Sequence, residues 1–446
     1  MGDIVKLFRY RDEDITHELT YADGVYTNTV CVDGRKSQSV KYCTPQSELE
    51  YKRYAKRTAQ LAVYRALSDY FGETMPWGAL TGIRPTKLAY SELEQGRDFA
   101  PLLREMGVCE ENIRLLQDVL TAQKGIYSKE GGTDLFVSIP FCPTKCAYCS
   151  FITADIAYTK QYLERYTDAL VREILFCKGK IKNLKSVYIG GGTPLVMPKH
   201  LLERILQAIE EIRTNGCEYT VEAGRPDVFT EEKLDLLARY GVTRICVNPQ
   251  TFTEQTLRNI GRKHTVEQVY AAFAMAKKYP FSVNCDLIAG LEGESKEEFL
   301  FGVREAIRMD PDNITVHTLC LKKGAKMKES CSYLDAGDIS EMIEGSRKLL
   351  YAAGYVPYYL YRQKYMAGNC ENTGWTKPGK ACVYNIDIME ETCDNLACGE
   401  NAVSKRVFAN EEKIVRFGTP KDIKMYIERQ EELLAKKAEF FGWNEE

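Results

Sequence analysis

Six short apolar runs alternate with helical patterns through the middle of this chain. They are Leu135–Ile139, Ser186–Ile189, Tyr219–Glu222, Arg244–Val247, Ser282–Ile288 and Ile314–Leu319. Segments with helical periodicity, such as Tyr162–Cys177 and Leu201–Ile212, fill the gaps between them. The rhythm predicts an α/β fold in which a parallel sheet with helices outside curls into a partial (β/α)6 barrel. In such folds chemistry sits at the C-terminal ends of the strands.

The flanks read differently, and three domains are expected: an N-terminal accessory α+β domain (1–132), the barrel (133–323) and a mostly helical C-terminal cover (324–446). Asp23-Gly24 and Asp33-Gly34 are two-residue hairpin signals for a small antiparallel meander. A helix is expected from Ser47 to Phe71 and another from Glu110 to Ile126, with a breaker-rich stretch, Met75 to Lys87, between them. The C-terminal part holds a tyrosine run (Tyr355, Tyr358, Tyr359, Tyr361) and an amphipathic helix over Ile423–Phe441. With 60 Lys+Arg against 63 Asp+Glu, a polybasic nucleic-acid arm and an acidic tail are excluded. No apolar run approaches the roughly 20 residues of a membrane span, and the start lacks the features of a signal peptide. A cytoplasmic protein is expected, with neither nucleic acid nor membrane as partner.

Such a chain holds 16 cysteines. In a reducing compartment thiols are buried hydrophobes, metal ligands or catalysts. Cys142, Cys146 and Cys149 follow the first barrel strand at C-x3-C-x2-C spacing and converge on one point. Four cysteines close the ligand shell of zinc or of an iron–sulfur cube; three leave one iron of a [4Fe–4S] cluster open. A zinc site completed by a distant ligand and three unrelated thiols are the alternatives. Gly190-Gly191-Gly192-Thr193-Pro194 ends the second strand, where bare backbone admits a charged ligand. Cys177, Cys217, Cys246 and Cys285 read as core, and Cys370, Cys382, Cys393 and Cys398 as dispersed thiols, with a second cluster as the alternative. Four histidines in all give histidine-based metal catalysis little support.

The cysteine spacing, with Tyr148 before the last thiol, resembles the cluster loop of the radical S-adenosylmethionine (SAM) enzymes. In these, the open iron holds the amino and carboxylate groups of SAM, and one electron cleaves the sulfonium to methionine and a 5′-deoxyadenosyl radical. The finer resemblance is to the oxygen-independent coproporphyrinogen III oxidase (coproporphyrinogen dehydrogenase) family, and within it to the Z-type (HemZ-like) subgroup. It implies a [4Fe–4S] cluster on Cys142, Cys146 and Cys149. It implies SAM contacts from Phe136, Tyr148, Gly191, Gly192, Thr193, Glu222, Gln250, Arg262, Asp286, Cys320 and Val403. Glu222 ends the third strand, Gln250 lies in Asn248-Pro249-Gln250, and Arg262 in Gly261-Arg262-Lys263-His264. Asp286 matches a ribose-binding aspartate, and a guanidinium such as Arg262 suits the methionine carboxylate.

Three departures stand out. Where the oxidases carry Tyr-x-His-x-Pro-Phe-Cys, this chain has Phe136-Val137-Ser138-Ile139-Pro140-Phe141-Cys142, without phenol or imidazole. A further cysteine of the oxidases is replaced by Phe151, and their Gly-x-Gly-Ala turn reads Gly399-Glu400-Asn401-Ala402. The related heme chaperones carry His-Asn-x-x-Tyr-Trp where this chain has Val383 to Met389, with neither His nor Trp. The resemblance implies oxidative decarboxylation of coproporphyrinogen III to protoporphyrinogen IX in heme biosynthesis. The electron donor would be of flavodoxin or ferredoxin type, and a low-oxygen setting is expected. Action on another tetrapyrrole, a non-catalytic tetrapyrrole carrier and a structural zinc protein stay open, and no catalytic residue is assigned. Arg84, Lys87, Arg362 and Lys364 are candidate propionate partners, weighed against plain solvated charges.

Overall fold

The structure, a computed structural model, describes residues 2–8, 15–82, 84–151, 154–320, 336–363, 366–408 and 413–443. The expected boundary at 323/324 and Lys364 lie outside the described residues. Strands β1 (Ile15–Ala22), β2 (Val25–Val32) and β3 (Arg35–Tyr42) form the antiparallel meander. Asp23 and Gly24 have φ of 49° and 75°, and Asp33 and Gly34 of 45° and 77°. Positive φ at both central residues matches the twist of the flanking strands, which is why Asp-Gly closes each hairpin. The meander packs on a helix, Glu48–Phe71, whose N-terminus is capped by the Ser47 hydroxyl.

The barrel strands are β4 (Thr133–Ile139), β7 (Leu184–Gly191), β8 (Glu218–Gly224), β9 (Arg244–Val247), β10 (Ser282–Ala289) and β11 (Asn313–Thr318). Two-residue strands β5 (Phe141–Cys142) and β6 (Ala154–Asp155) pair across the base of the cysteine loop. All six barrel strands are parallel, in the expected order. The C-terminal extension holds the expected helices and also five strands that the pattern did not disclose. These are β12 (Val356–Tyr361), β13 (Asn372–Thr376), β14 (Asp394–Cys398), β15 (Val403–Phe408) and β16 (Lys413–Gly418). They join both edges of the barrel, giving one sheet of order β12-β13-β11-β10-β9-β8-β7-β4-β14-β15-β16. β14 pairs parallel with β4 and acts as a seventh parallel strand.

The tyrosine run is not on the surface: Tyr355, Tyr358 and Tyr359 are buried, the last two in an aromatic lumen with Tyr384 and Phe136. Within the lumen Tyr188 and Tyr384 stack at 4.3 Å between centroids, and Phe136 stands 6.3 Å from Tyr188. Tyr384 belongs to a helix, Val383–Glu390, that closes the bottom of the barrel. Glu218, at the start of β8, accepts hydrogen bonds from Val383 N (3.1 Å) and Tyr384 N (3.2 Å). Lys185, at the start of β7, pairs with Asp387 at 2.6 Å. The N-terminal part of the chain packs its helix Glu110–Ala122 on β12. Gln123 Nε2 donates both to Tyr358 O (3.0 Å) and to Glu390 Oε1 (3.1 Å).

The expected terminal helix is broken at Arg429 into Ile423–Glu428 and Gln430–Phe441. Lys437, in the second of these helices, is buried. Its ammonium and the Glu173 carboxylate, both fully buried, meet at 2.5 Å, and Lys437 also donates to Ala397 O at 2.7 Å. Glu173 further accepts from Tyr426 OH (2.6 Å) and Gly399 N (2.8 Å), so the last helix is tied to the turn after β14. Removing one partner of such a pair strands the other charge out of water, which outweighs any gain from a better-packed apolar chain. Lys437→Met is expected to lower stability by about 3 kcal/mol or more, read as a lower urea midpoint.

Candidate active site

The cysteine loop is held at both ends by backbone. On the β7 side Gly192 N donates to Ile139 O (2.7 Å) and Thr193 N to Phe141 O (2.8 Å). A Cβ on Gly192 would lie 2.6 Å from Phe141 O, and one on Gly190 would lie 2.8 Å from Glu222 Oε2. All three glycines make room for protein atoms as well as a ligand, since a Cβ on Gly191 would lie 2.9 Å from Ser138 Oγ. Gly191, with φ of 99°, takes a conformation that favours glycine. On the far side Ala147 N donates to Ile260 O (3.0 Å) and Thr144 Oγ1 to Gly261 O (3.2 Å), while Arg225 donates to Thr144 Oγ1 at 2.5 Å. Tyr148 packs on Leu257, Ile260, Ile288, Leu291 and Leu319, and its hydroxyl accepts from Arg262 Nη2 at 3.1 Å.

The spacing of the sulfurs tests the zinc alternative. Four thiolates around one zinc ion stand about 3.8 Å apart, given Zn–S bonds of about 2.3 Å in a tetrahedron. Among the described residues the one His/Cys/Asp/Glu trio with ligand atoms all within 4.8 Å is Asp134, Asp387 and Cys393. Cys142, Cys146 and Cys149 do not meet that limit, so at least one pair of their sulfurs stands more than 4.8 Å apart, a spacing that a multi-iron cluster accommodates more readily than one zinc ion. Cys142 and Cys149 are partly exposed and Cys146 is buried; Thr193 Oγ1 donates to Cys142 Sγ at 3.6 Å. Burial pushes the Cys149 thiol up.

Polar groups from successive strand ends gather next to the loop. Arg262 is buried and donates to Asn248 O at 2.5 Å. Gln250 takes φ of 70°, its N–H donating to Asp286 O (2.9 Å) and its carbonyl accepting from Ile288 N (3.0 Å). Gln250 Oε1, Asn248 Oδ1 and Arg262 Nε are buried and have no hydrogen-bond partner among the described residues. Such groups are costly unless something pairs them, and a mixture of donor and acceptors suits a zwitterion such as SAM. His264 is buried and pushed down to about 3 by desolvation and by Arg262, so its ring is neutral.

Two carboxylates differ in state. Burial pushes Glu222 up to about 7, with Asp286 adding repulsion, although Tyr188 OH donates to Glu222 Oε1 at 2.6 Å. Burial acts the same way on Asp286, but His317, Asn284 and Thr315 outweigh it and hold the group below its ordinary value. Asn284 Nδ2 donates to Asp286 Oδ1 at 2.7 Å, and His317 Nε2 stands 3.9 Å from Asp286 Oδ2 with its Nδ1 3.5 Å from Tyr361 OH. Tyr188, His317 and Tyr361 thus extend the carboxylate pair into one chain of polar groups. Tyr188 was not expected; its only signal in the sequence is its place two residues before the glycines.

The remaining candidates are dispersed. Cys320 is partly exposed and lies close to Tyr361. Val403 is 43% exposed. In the register set by Asn395 opposite Lys405, it faces Ala397, which neighbours Phe136. Ser138 is buried, and a Cβ on Gly191 would sit 2.9 Å from its hydroxyl. Arg362 is buried over Trp77, and its Nη groups donate to Leu80 O and Asn369. Cys382, Cys393, Cys398 and Cys370 each sit by a different partner (Glu218, Asp134, Lys437 and Ser340) and do not assemble.

A parallel barrel with a three-cysteine loop and polar strand ends defines the radical SAM class, and the Radical SAM superfamily model matches residues 136–301. The chain is 36% identical over 428 residues to the "oxygen-independent coproporphyrinogen-III oxidase-like protein HemZ" of Bacillus subtilis, covering 91% of this chain and 85% of that protein. It belongs to that HemZ-like family of radical SAM proteins. It is also 36% identical over 190 residues to the heme chaperone HemW of Lactococcus lactis, covering 42% of this chain and 49% of the relative. The crystal structure of coproporphyrinogen III oxidase HemN from Escherichia coli shares the fold, with a TM-score of 0.56 at 20% identity over 70% of this chain and 72% of that one. A [4Fe–4S] cluster and SAM are the cofactors of the family. Among the described residues no helix is long and apolar enough to cross a membrane.

A carboxyl whose folded pKa is raised binds protons that the unfolded chain has released, so it lowers stability as pH rises from its unfolded value through about 7. In apo protein, Glu222→Gln is expected to make the fall in urea midpoint between pH 5 and 8 shallower than in wild type. An unchanged slope would place the raised pKa elsewhere.

Proposed function

We propose that this chain is a radical SAM oxidoreductase that converts coproporphyrinogen III to protoporphyrinogen IX by oxidative decarboxylation. The observation that carries this reading is similarity to a coproporphyrinogen oxidase-like relative across nearly the whole chain, accessory and C-terminal parts included. In it, Cys142, Cys146 and Cys149 hold the cluster. Gly191, Gly192 and Thr193 offer backbone and hydroxyl to the methionine end of SAM, with Glu222 beside them. Arg262 and Gln250 bind the same ligand through the groups they leave unpaired, and Asp286 takes the ribose. Tyr148, Cys320, Phe136 and Val403 complete the contacts. Together the bound cluster and SAM supply one-electron cleavage that creates a hydrogen-abstracting radical.

Each propionate gives up a β-hydrogen atom, CO2 and one electron to become a vinyl. The hydrogen would leave in 5′-deoxyadenosine, formed from the adenosyl part of bound SAM, and the electron would pass to an acceptor outside the chain. The chain's residues position and shield: the stacked Phe136, Tyr188 and Tyr384 and the helix Val383–Glu390 floor the barrel and keep water from its lower end. A flavodoxin- or ferredoxin-type protein would deliver the first electron. A second reading, radical chemistry on another tetrapyrrole, draws support from β4, where Phe136 carries no phenol and Ser138 is packed under Gly191. A heme-carrier role fits less well, since Tyr384, Ile386 and Asp387 in the stretch that would carry the heme motif are buried.

Anaerobically reconstituted, reduced protein given SAM and coproporphyrinogen III is expected to release 5′-deoxyadenosine and a product lighter by two formic-acid equivalents, seen by mass spectrometry. Deoxyadenosine without that product would overturn the substrate, and absence of both the whole reading. Arg262→Lys should weaken SAM binding about tenfold or more, since an ammonium lacks the planar fork that also holds Tyr148 and Asn248 O.

A further inference from the structure

A cleft of about 880 Å³ opens between the N-terminal domain and the β15–β16 hairpin. None of the cysteines or SAM-contact candidates lines it. It lies toward the bottom of the barrel, since Glu390, Glu391 and Thr392 in its wall precede β14. In a chain of net charge −3, the described walls carry nine Arg and Lys against five Glu.

The cations are focused. Three of them, Arg84 and Lys87 at the start of one helix and Arg416 on β16, converge on the buried carboxylate of Glu391, Arg416 at 3.1 Å and Lys87 at 3.4 Å, and Lys405, just behind the lining, reaches it at 3.7 Å. Glu391 offsets one of these charges and Glu390, pushed up to about 7 by burial while Arg84 and Lys87 draw it down, offsets part of a second, which leaves a positive surplus of about two in a partly desolvated wall. Lys405 registers this, pushed below its ordinary value by burial, with Arg84 and Arg416 adding to the effect against Glu391. Aromatic rings stand in the same walls. Arg57 lies over Tyr54 on the N-terminal wall and Lys413 over Phe408 on the hairpin wall, at 5.9 and 5.7 Å from the ring centres. The volume is that of a small-molecule pocket, and aromatic faces beside convergent cations suit a ring system with acidic substituents.

We propose that this cleft is a second ligand site, separate from the barrel mouth, for a small molecule carrying two or more carboxylates or phosphates on a ring body. The surplus around Glu391 sets the number of acidic groups, and the paired aromatics set the ring. The inference does not depend on the reaction proposed for the barrel.

Two probes distinguish the source of the anion in the full-length protein: coproporphyrin III, a tetracarboxylate followed by fluorescence, and ATP, followed by calorimetry. The test variant is Lys87→Gln with Arg416→Gln, two half-exposed cations whose loss leaves Arg84 and Lys405 on Glu391. At least one probe is expected to bind, and the double variant to weaken it tenfold or more while SAM binding stays unchanged. Binding is also expected to survive replacement of all three loop cysteines by Ala. Coproporphyrin binding alone assigns carboxylates, ATP binding alone phosphates, and either supports the site. Failure of both probes, affinity indifferent to the double variant, or binding lost with the cysteines would overturn it.

Discussion

Two backbone hydrogen bonds, from Gly192 N to Ile139 O and from Thr193 N to Phe141 O, join the ends of neighbouring parallel strands, and the site depends on them. They fix the root of the cysteine loop to the glycine turn at distances that no side chain at position 192 would allow. Because β4 and β7 are parallel and adjacent, both loops leave the sheet at the same end and meet there without further folding. Arg262 closes the arrangement from across the mouth, reaching Tyr148 in the loop and the carbonyl of Asn248 after β9. Loop, turn and arginine are thus one mechanical unit, and a change in any of them moves the sulfurs.

The C-terminal extension completes the barrel as well as covering it. β14 continues the parallel sheet beyond β4, while β13 and β12 extend the other edge beyond β11. Helix Val383–Glu390 fills the bottom, its N-terminal N–H groups satisfied by Glu218. The turn after β14 returns to the site: a Cβ on Gly399 would lie 2.6 Å from Ser138 O, and Tyr166 OH donates to that carbonyl at 2.7 Å. This contact gives a physical reason for glycine at 399 even though the next two residues depart from the oxidase pattern. The buried Glu173–Lys437 pair then fastens the final helix to the same turn.

The parts most legible in the sequence were those written in local chemistry. Asp-Gly hairpins, the six apolar runs and the three cysteines each carry their meaning within a few residues, and the strands matched to within a residue or two at most ends. The strands of the C-terminal extension were hidden because tyrosines at 358, 359 and 361 read equally as surface or core until their partners across the sheet are known. β14 was hidden because it opens on Asp394-Asn395, residues that favour turns over strands, and the break at Arg429 by amphipathicity that continues on both sides of it. The site was legible as a list of residue types at strand ends, but not the chain that links Glu222 to Tyr188 and Asp286 to His317 and Tyr361. Those contacts join residues tens of positions apart and leave no periodic trace.

Glu222 and Asp286 are both desolvated, yet the first is pushed up to about 7 and the second held below its ordinary value. The difference lies in their neighbours. Asp286 is met by an amide, a hydroxyl and an imidazole, whereas Glu222 has a phenol and a glycine N–H to set against burial and the repulsion of Asp286. Near neutral pH a pocket with one ionised and one half-protonated carboxyl holds less unbalanced charge without ligand than two carboxylates would. It also keeps a second acid ready to ionise next to any cation that binds. Low stability of the empty site and affinity for a positively charged cofactor would then have the same origin. The glycines that bring Glu222 close to Gly190 are part of that balance, because any side chain at 190 would push the carboxyl away from its place beside the turn.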